Sequence, residues 1–501
     1  MGLPAHASYL DTIGVTLLQT VTTNLNGADI QVAQPEALGT NTPPEFEVNP
    51  ANSSVQKPVA LFTYIDTNNS ASVFPNSFGT ESPHADTVAS YFYGSPGGVA
   101  TNVAHVDNYD ANYFIVYIVD AQTAIPASVV NQSFIGAISS QSAYDQIYDW
   151  YAAQYNTLFV SGVGNGGPVN PPATCYNGIG VGAYSGSSSY GPTLDNGRAK
   201  PDIVAPASAT SYSTPQVAGA AVLLIQAGLR GDGGSGTNSA ADIRTVKALL
   251  LNGAVKPDDW TNHPPSPLDT RYGAGVLNVF NSYEQLEGGQ HGYIVSTTVS
   301  TNSPHPPTGA SGTISALSGW DFNTISSSAT SDQVYHYYFD VTNGVSGADF
   351  TATATLVWNR QQNKTGINNL DLFLYDAESS NLVAASTSMV DNVEHIWLPQ
   401  LPQGRYDFQV LKHGGNTVNN NETYALAFEF FSTALNVAQA DTNVVLTWPI
   451  YPDGFVVEAT TNLAPSVVWT GVNVTPTVTN GQNQVTLDAT STSQFFRLRR
   501  P

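Results

Sequence analysis

Ala209-Thr210-Ser211-Tyr212-Ser213-Thr214-Pro215-Gln216-Val217-Ala218-Gly219 places one serine at the mouth of an apolar helix. Pro215 fits a first helical turn, where its missing N–H costs little, and residues 218–225 continue as an almost charge-free run that reads as a buried helix. The unpaired N–H groups and positive dipole end of such a helix stabilise negative charge beside a serine oxygen, so Ser211 reads as a nucleophile. A Ser/Thr cluster by itself is also an ordinary capping turn. The residues upstream decide between the two.

Pro201-Asp202-Ile203-Val204-Ala205-Pro206 reads as a strand entering the serine segment. Further back lie Phe159-Val160-Ser161-Gly162-Val163-Gly164-Asn165-Gly166-Gly167 and Cys175-Tyr176-Asn177-Gly178-Ile179-Gly180-Val181-Gly182-Ala183. Val129-Val130-Asn131-Gln132-Ser133-Phe134-Ile135-Gly136 precedes them, and Tyr272-Gly273-Ala274-Gly275-Val276-Leu277-Asn278-Val279 follows the serine. Taken in order, these segments resemble the subtilisin-like serine peptidases. The resemblance implies an α/β catalytic domain, a mostly parallel sheet flanked by helices, that acts on protein or peptide substrates as a serine endopeptidase. Ser211 then stands as nucleophile, and Asn165 with the Ser211 amide as the oxyanion hole. Ser82-Pro83-His84-Ala85-Asp86-Thr87-Val88-Ala89 resembles the family's helix-initiating histidine motif, with His84 in the place of the base. Ser133, Phe134, Ile135 and Gly136 are implied as one wall of an extended peptide groove, and Gly162, Val163 and Gly164 as the other side of the main side-chain pocket. That pocket reads as apolar and uncharged, suiting a medium or large hydrophobic side chain before the cut.

Such chemistry needs a nucleophile, a base, an acid that orients the base, and donors for the oxyanion. The acid departs from the pattern. The family carries an aspartate at the end of its first strand, where this chain has Ile30-Gln31-Val32-Ala33-Gln34-Pro35-Glu36-Ala37, and Glu36 falls in that place. A glutamate can orient an imidazole, provided the backbone sits back by about one methylene; a misplacement of about 1 Å costs on the order of a hundredfold. Asp86 is two residues along the same helix from His84 and faces away. Asp29 lies at the strand's opening on the other face, and Gln34 shares a face with Glu36 without carrying charge. His105, in Val103-Ala104-His105-Val106-Asp107, reads as a packed strand residue. Ala209 stands where the family has glycine, which predicts strain if that position needs positive φ. Ala85 narrows the approach beside His84. These departures at Glu36, Ala85 and Ala209 leave a second function class open: a catalytically weakened scaffold of the same fold with an adhesive or glycan-binding role. No Gly-x-Ser-x-Gly elbow supports a lipase or esterase.

At 501 residues the chain exceeds one ordinary core, so two or three domains are expected. A net charge of -23 argues against nucleic acid and anionic membranes as partners. It suggests an exported bacterial protein, although acidity fits halophilic or merely soluble proteins too; the chain is expected to be extracellular and a monomer. The single cysteine, Cys175, excludes an internal disulfide and reads as a small buried apolar residue. No apolar run approaches a bilayer span, and Met1-Gly2-Leu3 lacks the regions of a signal peptide, which is expected to be absent or removed.

Residues 1–290 read as the α/β domain. Strands are predicted over 28–33, 104–107, 114–119, 129–133, 157–163 and 178–183, and helices over 84–93, 142–155 and 241–251, after a short N-terminal helix. Residues 291–434 lose the helical period and read as a jelly-roll-like β-sandwich accessory domain, with its clearest strands over 349–358, 369–375, 393–398 and 405–411. Residues 435–501 read as a small C-terminal β domain with strands near 444–448, 455–459, 485–487 and 495–498. No cofactor is required for catalysis, and zinc is implausible with one cysteine and no paired-histidine motif. Asp371, Asp376, Asp391 and Glu394 offer oxygens for a structural Ca²⁺, yet without a ligand cadence they read as solvated turn residues. The β domains are expected to bind polysaccharide, assist folding or act as spacers; Trp358, Trp397, Trp448 and Trp469, if exposed, would stack on sugars, although buried strand aromatics are commoner.

Overall fold

The computed structural model describes residues 8–499 apart from 68, 343–348, 416–417, 433, 441, 480–481 and 490–492. Met1-Gly2-Leu3, the segment bearing on a leader, lies outside the described residues. The N-terminal half is built on one eight-stranded sheet. Its strands are β1 (Gln31–Glu36), β2 (Phe62–Ile65), β3 (Ser70–Ala71), β4 (His105–Asp110), β5 (Val129–Gln132), β6 (Leu158–Gly162), β7 (Ile179–Ala183) and β8 (Ile203–Ala205), in the spatial order β8-β7-β6-β5-β1-β4-β2-β3. All neighbours run parallel except β2 and β3. A parallel sheet must be covered on both faces. Helices α1 (Pro83–Phe92), α2 (Gln141–Tyr155), α3 (Thr210–Arg230), α4 (Ile243–Asn252) and α5 (Val279–Glu287) are its principal helices. α3 runs through the interior: Val217, Ala218 and Ala220 to Leu224 are fully buried, as its lack of charge predicts.

Three local readings are corrected. Residues 114–119 form a helical turn rather than a strand, because Asp110 ends β4 and its Oδ1 accepts the N–H groups of Asn112 (2.6 Å) and Tyr113 (3.0 Å), capping a helix at once. The N-terminal helix is two, Tyr9–Thr12 and Val15–Val21, broken at Gly14, whose φ of +77° admits no ordinary side chain. Ala209 has φ −153°, extended backbone that any residue adopts, so the expected strain is absent.

Beyond α5 the named strands among the described residues all pair antiparallel. Strands β9 (Val295–Ser300), β10 (Ser318–Ser326), β11 (Ser331–Val341), β12 (Phe350–Trp358), β13 (Leu370–Asp376), β14 (Leu382–Ser386), β15 (Val393–Leu401), β16 (Gly404–Lys412) and β17 (Asn421–Phe431) make two sheets, β9-β11-β16-β13-β14 and β10-β17-β12-β15. Inward residues of both, among them Tyr337, Phe339, Leu356, Leu372, Leu426 and Phe428, form one apolar core. The alternate residues Val357, Val393, Ala425 and Ala427 point the other way, into the core of the α/β domain. There Thr353 and Thr355 donate to Asn252 Oδ1 at the end of α4 (2.9 and 3.0 Å). The four-stranded sheet is thus buried on both faces.

Polar groups extend this junction. The Tyr176 ring lies between two guanidinium groups, Arg198 at 4.1 Å and Arg360 at 4.2 Å. Arg198 pairs with Asp145 (2.6 Å) and Arg360 with Asp149 (3.1 Å), while the Asn177 amide exchanges two hydrogen bonds with the Arg360 backbone (2.8 and 2.9 Å). Residues 436–499 form two further small sheets around Leu446, Trp448, Val457 and Val485. Among the described residues no helix is long and apolar enough to cross a membrane.

Candidate active site

The ends of β1 and β6, the start of α1 and the start of α3 meet at one edge of the sheet, where parallel strands deliver their C-terminal residues. Ser211 is the second residue of α3, in the turn whose N–H groups have no intrahelical acceptors. Pro215 lies inside this helix rather than in its first turn, and the bond its missing N–H would have made falls at Ser211 O. That carbonyl accepts the Ser133 hydroxyl instead, at 2.9 Å. The proline therefore ties the serine backbone to the neighbouring strand end. The Ser211 Oγ itself contacts Ser133 O at 3.5 Å. It makes no hydrogen bond to His84 among the described residues.

His84 is the second residue of α1, set by Pro83 at its start and by Ser82 Oγ, which accepts the Ala85 N–H (3.2 Å). Its Nδ1 lies 2.9 Å from Glu36 Oε2, and Glu36 is 1% exposed. The ionised carboxylate only accepts, so Nδ1 donates and the Nε2 lone pair is left outward, the tautomer a base requires. The hydrogen bond and charge of Glu36 hold the His84 pKa above its ordinary value against desolvation. Tyr212, next to the serine, packs against the imidazole with 6.3 Å between ring centroids, and Tyr91 stacks behind it at 5.8 Å.

Asn165 follows β6. Its Oδ1 accepts the Thr210 N–H (2.8 Å) and Thr210 Oγ1 (3.0 Å). An N–H can only donate, so the amide orientation is fixed and Nδ2 is free to face the pocket. That pocket, about 180 Å³, is lined by Ser133, Phe134, Ile135, Gly162, Gly164, Asn165, Thr210 and Ser211. Gly164 has φ +104°, and a Cβ there would lie 2.9 Å from Asn170 Nδ2 and from Ser189 Oγ. Val163, expected at the pocket, and Gly136, expected in the groove wall, stand apart from this lining. Val163 is fully buried with Val169 and Ala173, and Gly136 backs onto Tyr144, whose ring a Cβ would meet at 2.8 Å.

Sequence reasoning missed the residues that hold these groups. Thr210 fixes Asn165. Gln34 donates to Glu36 Oε1 at 2.9 Å and accepts from Tyr93 Oη at 2.6 Å, both partners buried. Asp86 indeed faces elsewhere, accepting from Asn49 N and Asn52 Nδ2 at 2.7 Å each, with its carboxyl pushed up to about 7 by burial and by Glu81. His105 lies 3.0 Å from Thr63 Oγ1 at the start of β4.

Among the described residues no three His, Cys, Asp or Glu side chains are grouped to hold a metal ion. Asp376 serves a turn, accepting the Glu378 and Ser379 N–H groups. Asp371, Asp391 and Glu394 are buried rather than solvated, because they bond His413 Nε2 (2.8 Å), Ala199 N (2.8 Å) and Ser388 N (2.6 Å). Trp358 and Trp448 are buried in their domain cores, which removes them as exposed sugar platforms; Trp397 and Trp469 are half-buried, the latter beneath Arg497. Cys175 is buried and its thiol pushed up to about 12.

The sequence model of the subtilase family matches residues 50–275. That span includes His84, Asn165 and Ser211, and Glu36 precedes it. No curated protein matches the chain. Among solved structures, the prenylagaramide maturation protease PagA is 20% identical, covering 55% of this chain and 99% of its own, with a TM-score of 0.39. The PatG macrocyclase in complex with peptide is 16% identical (57% and 99% covered, TM-score 0.40), and a protease from Pseudoalteromonas arctica is 18% identical (56% and 96% covered, TM-score 0.38).

Proposed function

We propose, from the premise that this chain carries a subtilase-family serine peptidase domain over residues 50–275, that it is a secreted endopeptidase working through Ser211, His84 and Glu36. The observation that carries the reading is the 2.9 Å contact of His84 Nδ1 with the buried Glu36 carboxylate beside a pocket lined by both Ser211 and Asn165. Ser211 Oγ attacks the scissile carbonyl while His84 Nε2 takes its proton, and Glu36 stabilises the imidazolium that forms. The carbonyl oxygen, becoming an oxyanion, is held by Asn165 Nδ2 and the Ser211 N–H. His84 then returns its proton to the leaving amine, and water repeats the sequence on the acyl-enzyme.

The long contact of Ser211 Oγ with Ser133 O fits this cycle. A peptide laid along Ser133 to Ile135 presents its own N–H to that carbonyl, releasing the hydroxyl to turn toward His84. Among the described residues no charged side chain lines the pocket, which supports an uncharged residue before the cut.

Labelling with a fluorophosphonate serine probe tests the assignment. The parent labels stoichiometrically and Ser211→Ala does not. An unlabelled parent would point instead to a scaffold that has lost activity, and equal labelling of Ser211→Ala would place the nucleophile elsewhere.

A further inference from the structure

The amide of Gln34 touches neither the serine nor the pocket lining, yet its surroundings leave it one orientation. Its Nε2 lies 2.9 Å from Glu36 Oε1 and 3.0 Å from Ala85 O. Both are acceptors without a proton to give, so the NH₂ must face them. Its Oε1 then faces Tyr93 Oη at 2.6 Å, and the phenol must donate. Tyr93, which ends α1, and Gln34 on β1 are both fully buried, so neither exchanges these partners for water. The chain Tyr93–Gln34–Glu36–His84 therefore has every hydrogen assigned, and its direction is fixed at the Tyr93 end.

We propose that Gln34 is the positioning residue for the triad acid: its amide, oriented by Tyr93, pins one oxygen of Glu36 and leaves the other for His84 Nδ1. This rests on the reading of Glu36 as the triad acid. A glutamate has one more rotatable bond than an aspartate, and a carboxylate at the end of that bond turns about it unless an oxygen is held. Gln34 holds Oε1 from the same strand, two residues back on the same face. Its second bond, to Ala85 O, also ties β1 to the turn of α1 that carries His84. One side chain thus fixes both the carboxylate and its distance from the imidazole.

Two variants test it. Gln34→Met keeps the volume and removes every hydrogen bond. It lowers kcat roughly ten- to a hundredfold, since a Glu36 carboxylate left to turn by up to about 1 Å costs on that order, and leaves KM within about twofold, since Gln34 is not in the pocket lining. Gln34→Glu places a carboxyl against two acceptors. While it holds a proton it donates that one hydrogen to Glu36, without the amide's second bond to Ala85 O; once ionised it repels Glu36. Its kcat therefore stays near the parent's at the acid end and falls as pH rises through a range where the parent is level. A residue that only fills space would give equal losses at every pH in both variants, and that result overturns the proposal, as does Gln34→Met with kcat within twofold of the parent. An NMR titration of His84 in the Ser211→Ala background reads positioning without turnover. A midpoint displaced by Gln34→Met supports the proposal and an unmoved one overturns it, whatever the fluorophosphonate assay says of the proposed function.

Discussion

On the proposed assignment of Glu36 as the triad acid, replacing it by aspartate is predicted to lower activity. The substitution removes one methylene, a reach of about 1.5 Å. The carboxylate that now meets His84 Nδ1 at 2.9 Å would stop at about 4 Å, beyond hydrogen-bond range. The strand cannot advance to compensate, because β1 is locked in register between β4 and β5, Pro35 opposite Tyr109 and Val32 opposite Val129. Misplacement on this scale costs on the order of a hundredfold in kcat, about 2.7 kcal/mol of transition-state stabilisation. Gln34 Nε2 loses an acceptor as well. The His84 pKa, held up mainly by the Glu36 hydrogen bond, falls back toward its ordinary value. The base must be neutral, so the acid limb of kcat/KM moves to lower pH even as the plateau drops. Hydrolysis of an internally quenched peptide, followed across pH with thermal unfolding as a control, measures both effects. Glu36→Gln keeps the length and loses the charge, and falls further, by roughly 10⁴. A Glu36→Asp enzyme within threefold of the parent would refute the geometry argued for the triad.

Other perturbations have signed outcomes. Asn165→Ala lowers kcat by roughly a hundred- to a thousandfold with little change in KM, measured on the same peptide; an unchanged kcat would remove Asn165 from the oxyanion hole. Asp202 lies buried between Lys200 and Lys247, the latter 3.1 Å away. Asp202→Asn leaves two buried ammonium groups without a counter-charge and destabilises by about 3–5 kcal/mol in urea unfolding; a loss under 1 kcal/mol (about a fifth to a third of that range) would contradict the burial. Asp149 and Glu422 are each pushed up to about 7, chiefly by desolvation. The folded state binds their protons more tightly than the unfolded chain, so their stabilising contribution is complete below the ordinary carboxylate range and is lost as pH rises through about 7. The melting temperature should fall as pH rises from the ordinary carboxylate range to about 7, and the Asp149→Asn and Glu422→Gln variants together should reduce that slope.

The parallel-sheet domain was legible because its strands end in Gly, Asn and Ser segments whose order along the chain carries information. Ser211, His84 and Glu36 stand as candidates on that order, and the structure sets His84 Nδ1 2.9 Å from Glu36 Oε2. What failed was local. Phe114 to Val119 has the composition of a strand, and only the side chain of Asp110, a cap outside the apolar run, turns it into a helix. Val163 was read as pocket wall because it lies between two pocket glycines, yet alternation along the chain turns its side chain away from both. Gln34 was visible on the face of Glu36 and was weighed only as a charge. Its importance depends on Tyr93, which lies 59 positions away, and no spacing rule connects them. The burial of Trp358 and Trp448 likewise depends on which face each strand turns inward.

The double burial of the four-stranded sheet sets a schedule for synthesis. Helix α4 ends at Asn252, while β17, which supplies part of its covering, is complete only at Phe431. At ordinary translation speeds of about 5–20 residues per second, that flank of the nascent chain stays bare for roughly 10–40 s. Ribosome-bound intermediates halted before β17 should bind holdase chaperones, and a chain cut back to the first 290 residues should precipitate. The downstream strands thus act as the lid of the core that precedes them.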